Sequence, residues 1–151
     1  MRAVVQRVKK ASVSVGGNIV SSIGCGLLVL LGVSKSESTE DFDYIIDKII
    51  NMRIFHDSDG KMNENISFVN GEILIVSQFT LYGDIRKGRR PSYDMAESSE
   101  LAIKVYDYFV EKIKQKYDSN KIFTGIFGAM MDIELVNFGP VTILLDSKKG
   151  F

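Results

Sequence analysis

Hydrophobic residues alternate with polar ones in the first part of the chain, switch to helical spacing, and alternate again towards the end. Residues 2–15 are rich in Val, Ala and Ser. Val4, Gln6 and Val8 fall on one side of an extended chain, Val5 and Arg7 on the other, which predicts a long strand. Gly16-Gly17-Asn18 is a turn signal, so residues 19–23 are expected to return as a hairpin strand. Residues 26–33 form an unbroken apolar run, the pattern of a strand buried on both faces.

The period then changes. Ser38 and Thr39 offer helix caps ahead of Glu40, Asp41 and Asp43, acids suited to the positive end of a helix dipole. Phe42, Ile45, Ile46, Ile49 and Ile50 follow at helical spacing. Asp57-Ser58-Asp59-Gly60 lacks the ligand spacing and closing Glu of a calcium loop, so it predicts a turn. Residues 72–81 read as a second central strand, followed by a basic loop at 85–92. A second amphipathic helix is expected over 99–117, with Leu101, Ala102, Val105, Tyr108, Phe109 and Ile113 inward. Residues 133–145 read as two strand-like runs broken at Asn137-Phe138-Gly139-Pro140. Strands, helix, strand, helix, strands is the order of an α+β fold: a largely antiparallel sheet or open barrel with two packed helices. No repeat or linker interrupts it, so residues 1–151 are expected to be one domain.

Composition narrows the chemistry. Lys+Arg and Asp+Glu both number 19, so a neutral chain is not built for sequence-blind coating of nucleic acid, although a local basic patch remains open. The single cysteine, Cys25, rules out an intrachain disulfide and reads as a small core residue of its apolar run. That run is too short for a bilayer, and residues 1–10 lack a signal region, so a reducing cytoplasm is the expected setting. His56 is the only histidine, and it reads as a helix-end or turn residue rather than a catalytic base. One His and one Cys leave no soft-ligand metal cluster, so no metal and no cofactor are expected.

Three segments invite a functional reading beside a plain one. Ser77-Gln78-Phe79-Thr80-Leu81 places three polar side chains at the end of an apolar strand, where rigid scaffolds carry binding groups. A strand leaving the core and turning polar explains it equally well. Gly139-Pro140 lies between two apolar runs, where Pro removes a ladder donor and Gly leaves carbonyls sterically open; an ordinary turn also fits. In residues 124–131, Phe127, Gly128, Ala129 and Met131 mix small and large apolar residues, suited to a snug pocket or to a loop over the core.

Together these segments closely resemble the D-aminoacyl-tRNA deacylase family. Its Ser-Gln-Phe-Thr-Leu signature stands at 77–81, its Gly-Pro-Val-Thr at 139–142, and its Thr-Gly-x-Phe-Gly-Ala-x-Met at 124–131. Met-Arg-Ala-Val-Val-Gln-Arg-Val at 1–8, the apolar run at 26–33 and Arg89-Arg90-Pro91-Ser92 are also similar to the family, in the same order. The resemblance implies hydrolysis of the ester of D-aminoacyl-tRNA, and of glycyl-tRNA mischarged on alanine tRNA, as proofreading in translation. It implies a homodimer in which a cis Gly139-Pro140 of one subunit enters the active site of the other. Carbonyls near that dipeptide would receive the substrate amino group, so that an L side chain runs into it while a D side chain points to solvent. Phe127, Gly128, Ala129 and Met131 would wall the pocket for the terminal adenosine. Backbone N–H groups at Phe79 and Thr80 would form an oxyanion hole, and Ser77 and Gln78 would orient the ester and ribose. The substrate's own 2′-hydroxyl would orient the attacking water; Thr80 as a nucleophile is the alternative. Arg86, Lys87, Arg89 and Arg90 would meet phosphates of the acceptor end, or would be a solvated loop.

Two other readings stand beside this one. A related deacylase type removes L-alanine from threonine tRNA; it differs at the Ser-Gln-Phe-Thr position and has a trans Gly-Pro. Some animal relatives carry a basic C-terminal extension associated with DNA replication. No such arm is expected here after Ser147-Lys148-Lys149-Gly150-Phe151.

Overall fold

The computed structural model describes residues 1–150. The elements run β1 (Arg2–Val15), β2 (Asn18–Ile23), β3 (Gly26–Gly32), α1 (Thr39–Asn51), β4 (Phe55–His56) and β5 (Met62–Glu64). β6 (Glu72–Ser77), α2 (Ser99–Lys116), β7 (Ile122–Thr124) and β8 (Asp132–Asp146) complete them. The main sheet is ordered β2-β1-β3-β6-β7, with β8 paired along the other side of β1. Pairings within β1, β2, β3 and β8 are antiparallel, whereas β3–β6 and β6–β7 are parallel, so the sheet is mixed. The Ser21 hydroxyl donates to the Thr124 carbonyl at 2.9 Å, linking β2 to β7 and nearly closing the sheet into a barrel.

The two faces of this sheet carry two cores. Leu27, Val29 and Leu31 of β3, with Ile73 and Ile75 of β6, face the helices and meet Ile45, Ile46, Ile49, Phe109 and Ile113. Leu28, Leu74 and Val76 face the barrel interior with Val8, Ala11 and Val13. Both central strands are therefore buried on both sides, as their unbroken apolar runs predict. α1 starts at Ser38, whose N–H donates to the Asp41 carboxylate at 2.7 Å and whose hydroxyl donates to it at 2.9 Å. Lys148 reaches the same carboxylate at 2.7 Å and ties the end of the chain to that cap.

The structure corrects several expectations. Cys25 is exposed rather than a core residue, because it lies in the turn between β2 and β3 and not in the strand that follows. The strand expected over 72–81 ends at Ser77, and Phe79–Tyr82 forms a 3-10 turn. On α2 the inward stripe is Ala102, Tyr106, Phe109, Val110 and Ile113; Leu101 and Tyr108 are half exposed. Tyr106 goes inward because its hydroxyl donates to the Ile75 carbonyl at 2.8 Å, which satisfies the polar end of a buried ring. His56 lies in the short strand β4, not in a turn, with its ring edge-on to Phe138 at 6.0 Å. The two runs expected over 133–145 belong to one long strand interrupted by a bulge.

Candidate active site

β6 delivers the first part of the site. Ser77 makes its last ladder pair, with Leu31, and the Gln78 N–H donates to the Leu31 carbonyl at 2.8 Å. The chain then coils into the 3-10 turn Phe79–Tyr82. This turn packs so closely on the end of β3 that a Cβ at Gly32 would lie 3.0 Å from the Gln78 carbonyl oxygen and 3.2 Å from Leu81 Cβ. Arg2 latches it from below, donating to the Leu81 carbonyl at 3.1 Å with its guanidinium 4.7 Å from the centre of the Tyr82 ring. The N–H groups of Phe79 and Thr80 are the first two of the turn, where a helix offers no internal acceptor. Among the described residues neither donates a hydrogen bond. Two adjacent donors therefore sit unpaired on a braced backbone, an arrangement that suits a developing oxyanion. Gln78 Nε2 donates to the Thr80 hydroxyl, fixing both side chains.

Beside this turn opens a cavity of about 540 Å³. Ser77, Gln78 and Phe79 line it, as do Phe127, Gly128, Ala129 and Met131. Two segments singled out separately in the sequence thus share one wall. Ala102 of α2 and Ile133 of β8 also line the cavity, and Phe127 is held from behind by the Tyr106 ring at 5.6 Å. Among the described residues Glu97 is its only ionisable lining side chain, and sequence reasoning passed over it. Thr80 is exposed and does not line the cavity. Among the described residues no group of three or more His, Cys, Asp or Glu is placed to hold a metal ion.

Gly139 and Pro140 stand apart from this cavity. β1 and β8 pair as far as Val8 with Asn137 and resume at Gln6 with Thr142, so residues 138–141 bulge out opposite Arg7. The neck of the bulge is closed by Asn137 Nδ2 donating to the Thr142 hydroxyl at 3.3 Å. The Gly139-Pro140 peptide is cis, and both residues are exposed.

Arg7 holds the bulge from inside, and sequence reasoning gave it no role. It is 1% exposed; Nε donates to the Phe138 carbonyl at 3.0 Å and a terminal nitrogen to the Ile54 carbonyl. The guanidinium also lies 4.6 Å from the centre of the Phe138 ring. Burial holds its pKa below the ordinary arginine value, opposed by a weaker charge interaction with Cys25. The one available signal was an arginine on the same side of the strand as Val5, a position that needs a partner if it faces a core.

The basic residues lie elsewhere again. Asp84 and Ser92 pair through two backbone hydrogen bonds of 2.8 and 2.9 Å, so residues 85–91 form a closed hairpin loop. Arg86, Lys87, Arg89 and Arg90 are all exposed on it. Arg86 pairs with the Asp84 carboxylate at 2.5 Å, and hydrogen bonding from Arg86 draws that carboxyl down to about 2. Among the described residues Lys87, Arg89 and Arg90 form no ion pair. Among the described residues no helix is long and apolar enough to cross a membrane.

Comparisons with known proteins converge on one family. The sequence profile of the D-Tyr-tRNA(Tyr) deacylase family matches residues 4–146. The D-aminoacyl-tRNA deacylase of Thermosipho melanesiensis is 58% identical over 151 residues, the whole of both chains. That of Clostridium acetobutylicum is 50% identical over the same full length. Among solved structures, the c-Myc DNA Unwinding Element Binding Protein superposes with a TM-score of 0.92 at 42% identity, covering 97% of this chain and 98% of its own. A probable eukaryotic D-amino acid tRNA deacylase shares the fold, with a TM-score of 0.75 at 17% identity over 95% of this chain and 97% of its own. The chain belongs to the D-Tyr-tRNA(Tyr) deacylase family, hydrolases that cut the ester between a D-amino acid and tRNA.

Proposed function

We propose that this chain clears D-aminoacyl-tRNA and glycyl-tRNA as a cytoplasmic homodimer, and that Gly139-Pro140 of one subunit screens the amino acid bound in the other. The carrying observation is the separation of the two halves of the site. The cavity beside Phe79–Tyr82 is not lined by Gly139 or Pro140, and that dipeptide protrudes, exposed, from the bulge of β8. A two-fold arrangement, in which each copy gives and receives the same element, would join them. The unpaired outer edge of β8, with Val136 and Leu144 exposed, supports association through this region.

The terminal adenosine then occupies the cavity walled by Phe127, Gly128, Ala129 and Met131. The ester carbonyl points at the Phe79 and Thr80 N–H groups, with Ser77 and Gln78 orienting ester and ribose. Charge building on the carbonyl oxygen during attack is met by donors already in place. The attacking water is oriented by the substrate's 2′-hydroxyl; the cavity wall carries no histidine to do so. L substrates are rejected because their side chain would run into the dipeptide, so one site serves many D-amino acids and glycine. Comparing D-tyrosyl-, L-tyrosyl- and glycyl-tRNA tests this reading: hydrolysis of the first and third with the second spared supports it, and equal rates on both tyrosyl esters overturn it. Cleavage of L-alanyl-tRNA alone would favour the L-alanine-editing type. The likeness to the c-Myc DNA Unwinding Element Binding Protein makes DNA binding a second reading, and a gel shift with duplex DNA at physiological salt decides it.

A further inference from the structure

One aromatic pair, Phe79 and Tyr93, stands at the mouth of the cavity, and only Phe79 has a role so far. Phe79 lines the cavity yet is 58% exposed, so its ring forms the rim. Tyr93, which does not line the cavity, packs edge-on against Phe79 with ring centres 5.0 Å apart and remains 37% exposed. The Tyr93 ring is seated on the backbone at Gly83, where an added Cβ would lie 3.1 Å from its Cε1. Its carbonyl accepts from the Ala96 N–H at 2.9 Å, and the Ala96 segment bridges to Ser34 at the end of the β3 region. The pair is therefore a braced apolar surface facing solvent.

Its neighbour in the chain is the basic hairpin. Tyr93 directly follows Ser92, which closes the loop carrying Arg86, Lys87, Arg89 and Arg90. Cavity, aromatic rim and cationic loop are thus linked in succession: Phe79 lines the first, Tyr93 packs on Phe79, and the loop closes at the residue before Tyr93. A single-stranded nucleic acid offers the same succession: one base buried, a second base beside it, and phosphates between and beyond. Aromatic side chains next to cations are the usual platform for such bases. A peptide or a second copy of this neutral chain would not bring a regular line of negative charge to the loop.

We infer that Phe79 and Tyr93 form a stacking site for the nucleotide preceding the terminal adenosine, whose phosphates are met by the 85–91 hairpin. This rests on the deacylase reading above and assigns the substrate a second subsite. Alanine at a base-stacking aromatic weakens binding by roughly 5- to 150-fold, so the effect is large enough to measure.

The test compares D-tyrosyl esters of adenosine, of cytidylyl-adenosine, and of the same dinucleotide with the first base removed. Wild type should show a higher kcat/KM on the dinucleotide than on adenosine, carried by KM, with part of the gain lost when the base is absent. Tyr93→Ala should remove that base-dependent gain and leave the adenosine ester unchanged; Tyr93→Phe should restore it. Equal losses on all three esters would make Tyr93 a structural residue, and no change on any would remove it from the substrate path; either overturns the inference. A Tyr93→Ala protein that loses self-association by sedimentation, with no change in the base-dependent gain, would assign the pair to an interface between copies. If wild type cleaves none of the esters, the deacylase reading fails separately. Fluorescence of 2-aminopurine at the penultimate position of a short RNA then decides the platform: quenching by wild type but not by Tyr93→Ala supports it, and no quenching refutes it.

Discussion

Gly139→Ala is the substitution whose consequences the geometry specifies most fully. Gly139 has φ = 122°, a conformation that L side chains rarely adopt. Holding alanine there costs about 1–3 kcal/mol in backbone strain. The added Cβ would also lie 2.5 Å from a terminal nitrogen of Arg7 and 2.9 Å from Val141 Cγ2. Arg7 is buried and committed to the Phe138 and Ile54 carbonyls, so it cannot retreat without losing one of them. A hydrogen bond from a charged group is worth about 1.5–3 kcal/mol, so the expected total is about 2.5–6 kcal/mol. In a domain of this size each kcal/mol moves Tm by about 2–4 °C, so the midpoint should fall by roughly 5–24 °C. Calorimetry at a fixed protein concentration measures this, since an oligomer's midpoint depends on concentration. The D/L rate ratio should change as well, because the tip of the bulge is displaced. A double-mutant cycle with Arg7→Met separates clash from strain: if Arg7 is the obstacle, the two losses are not additive. A Tm shift below about 2 °C, or full additivity, would refute the account of the bulge.

Three further outcomes follow from other parts of the site and its frame. Thr80→Ala should keep activity within about tenfold, because removing one side chain leaves the backbone donors in place; a loss of several thousand-fold with the fold intact would make Thr80 a nucleophile. Replacing Lys87, Arg89 or Arg90 with alanine should flatten the plot of log affinity for tRNA against log salt by roughly 0.7–0.9 per contact and leave the D/L ratio unaltered. Arg86→Ala should do less, since Asp84 already engages that cation, and an unchanged slope after replacing all four would mean a solvated loop. At Asp41, burial raises the carboxyl pKa, but hydrogen bonds from Lys148, Ser147 and Ser38 outweigh it and hold it well below the usual carboxylate range. A depressed folded pKa adds stability above the unfolded value of about 3.9 and loses it as pH falls through the folded value. The Tm difference between wild type and Asp41→Asn should therefore be constant from about pH 7 to 5 and shrink below about pH 4, whereas a pH-independent difference would refute the assignment.

Local pattern was enough to locate most of this fold. The alternation of β1, the unbroken apolar run of β3 and the isoleucine spacing of α1 are local signals, and each element is present. Local pattern singled out the Ser77–Thr80 and 127–131 segments but fitted a plain reading equally well; only the fold shows that Ser77, Gln78 and Phe79 share a cavity wall with Phe127, Gly128, Ala129 and Met131. What failed depended on partners distant in sequence. β6 stops at Ser77 because the end of β3 at Gly32 receives the coil that follows, a contact between residues 32 and 78–82. Tyr106 rather than Tyr108 turns inward because the Ile75 carbonyl, distant in sequence, accepts from its hydroxyl there. Arg7 looked like one more polar residue of an alternating strand until the bulge opposite it placed the Phe138 carbonyl and ring, and the segment before β4 the Ile54 carbonyl, around its guanidinium. Periodicity states which residues share a face; only the pairing of strands states what that face meets. That pairing also separated the two halves of the proposed site, leaving the cavity at the end of β6 and Gly139-Pro140 on β8.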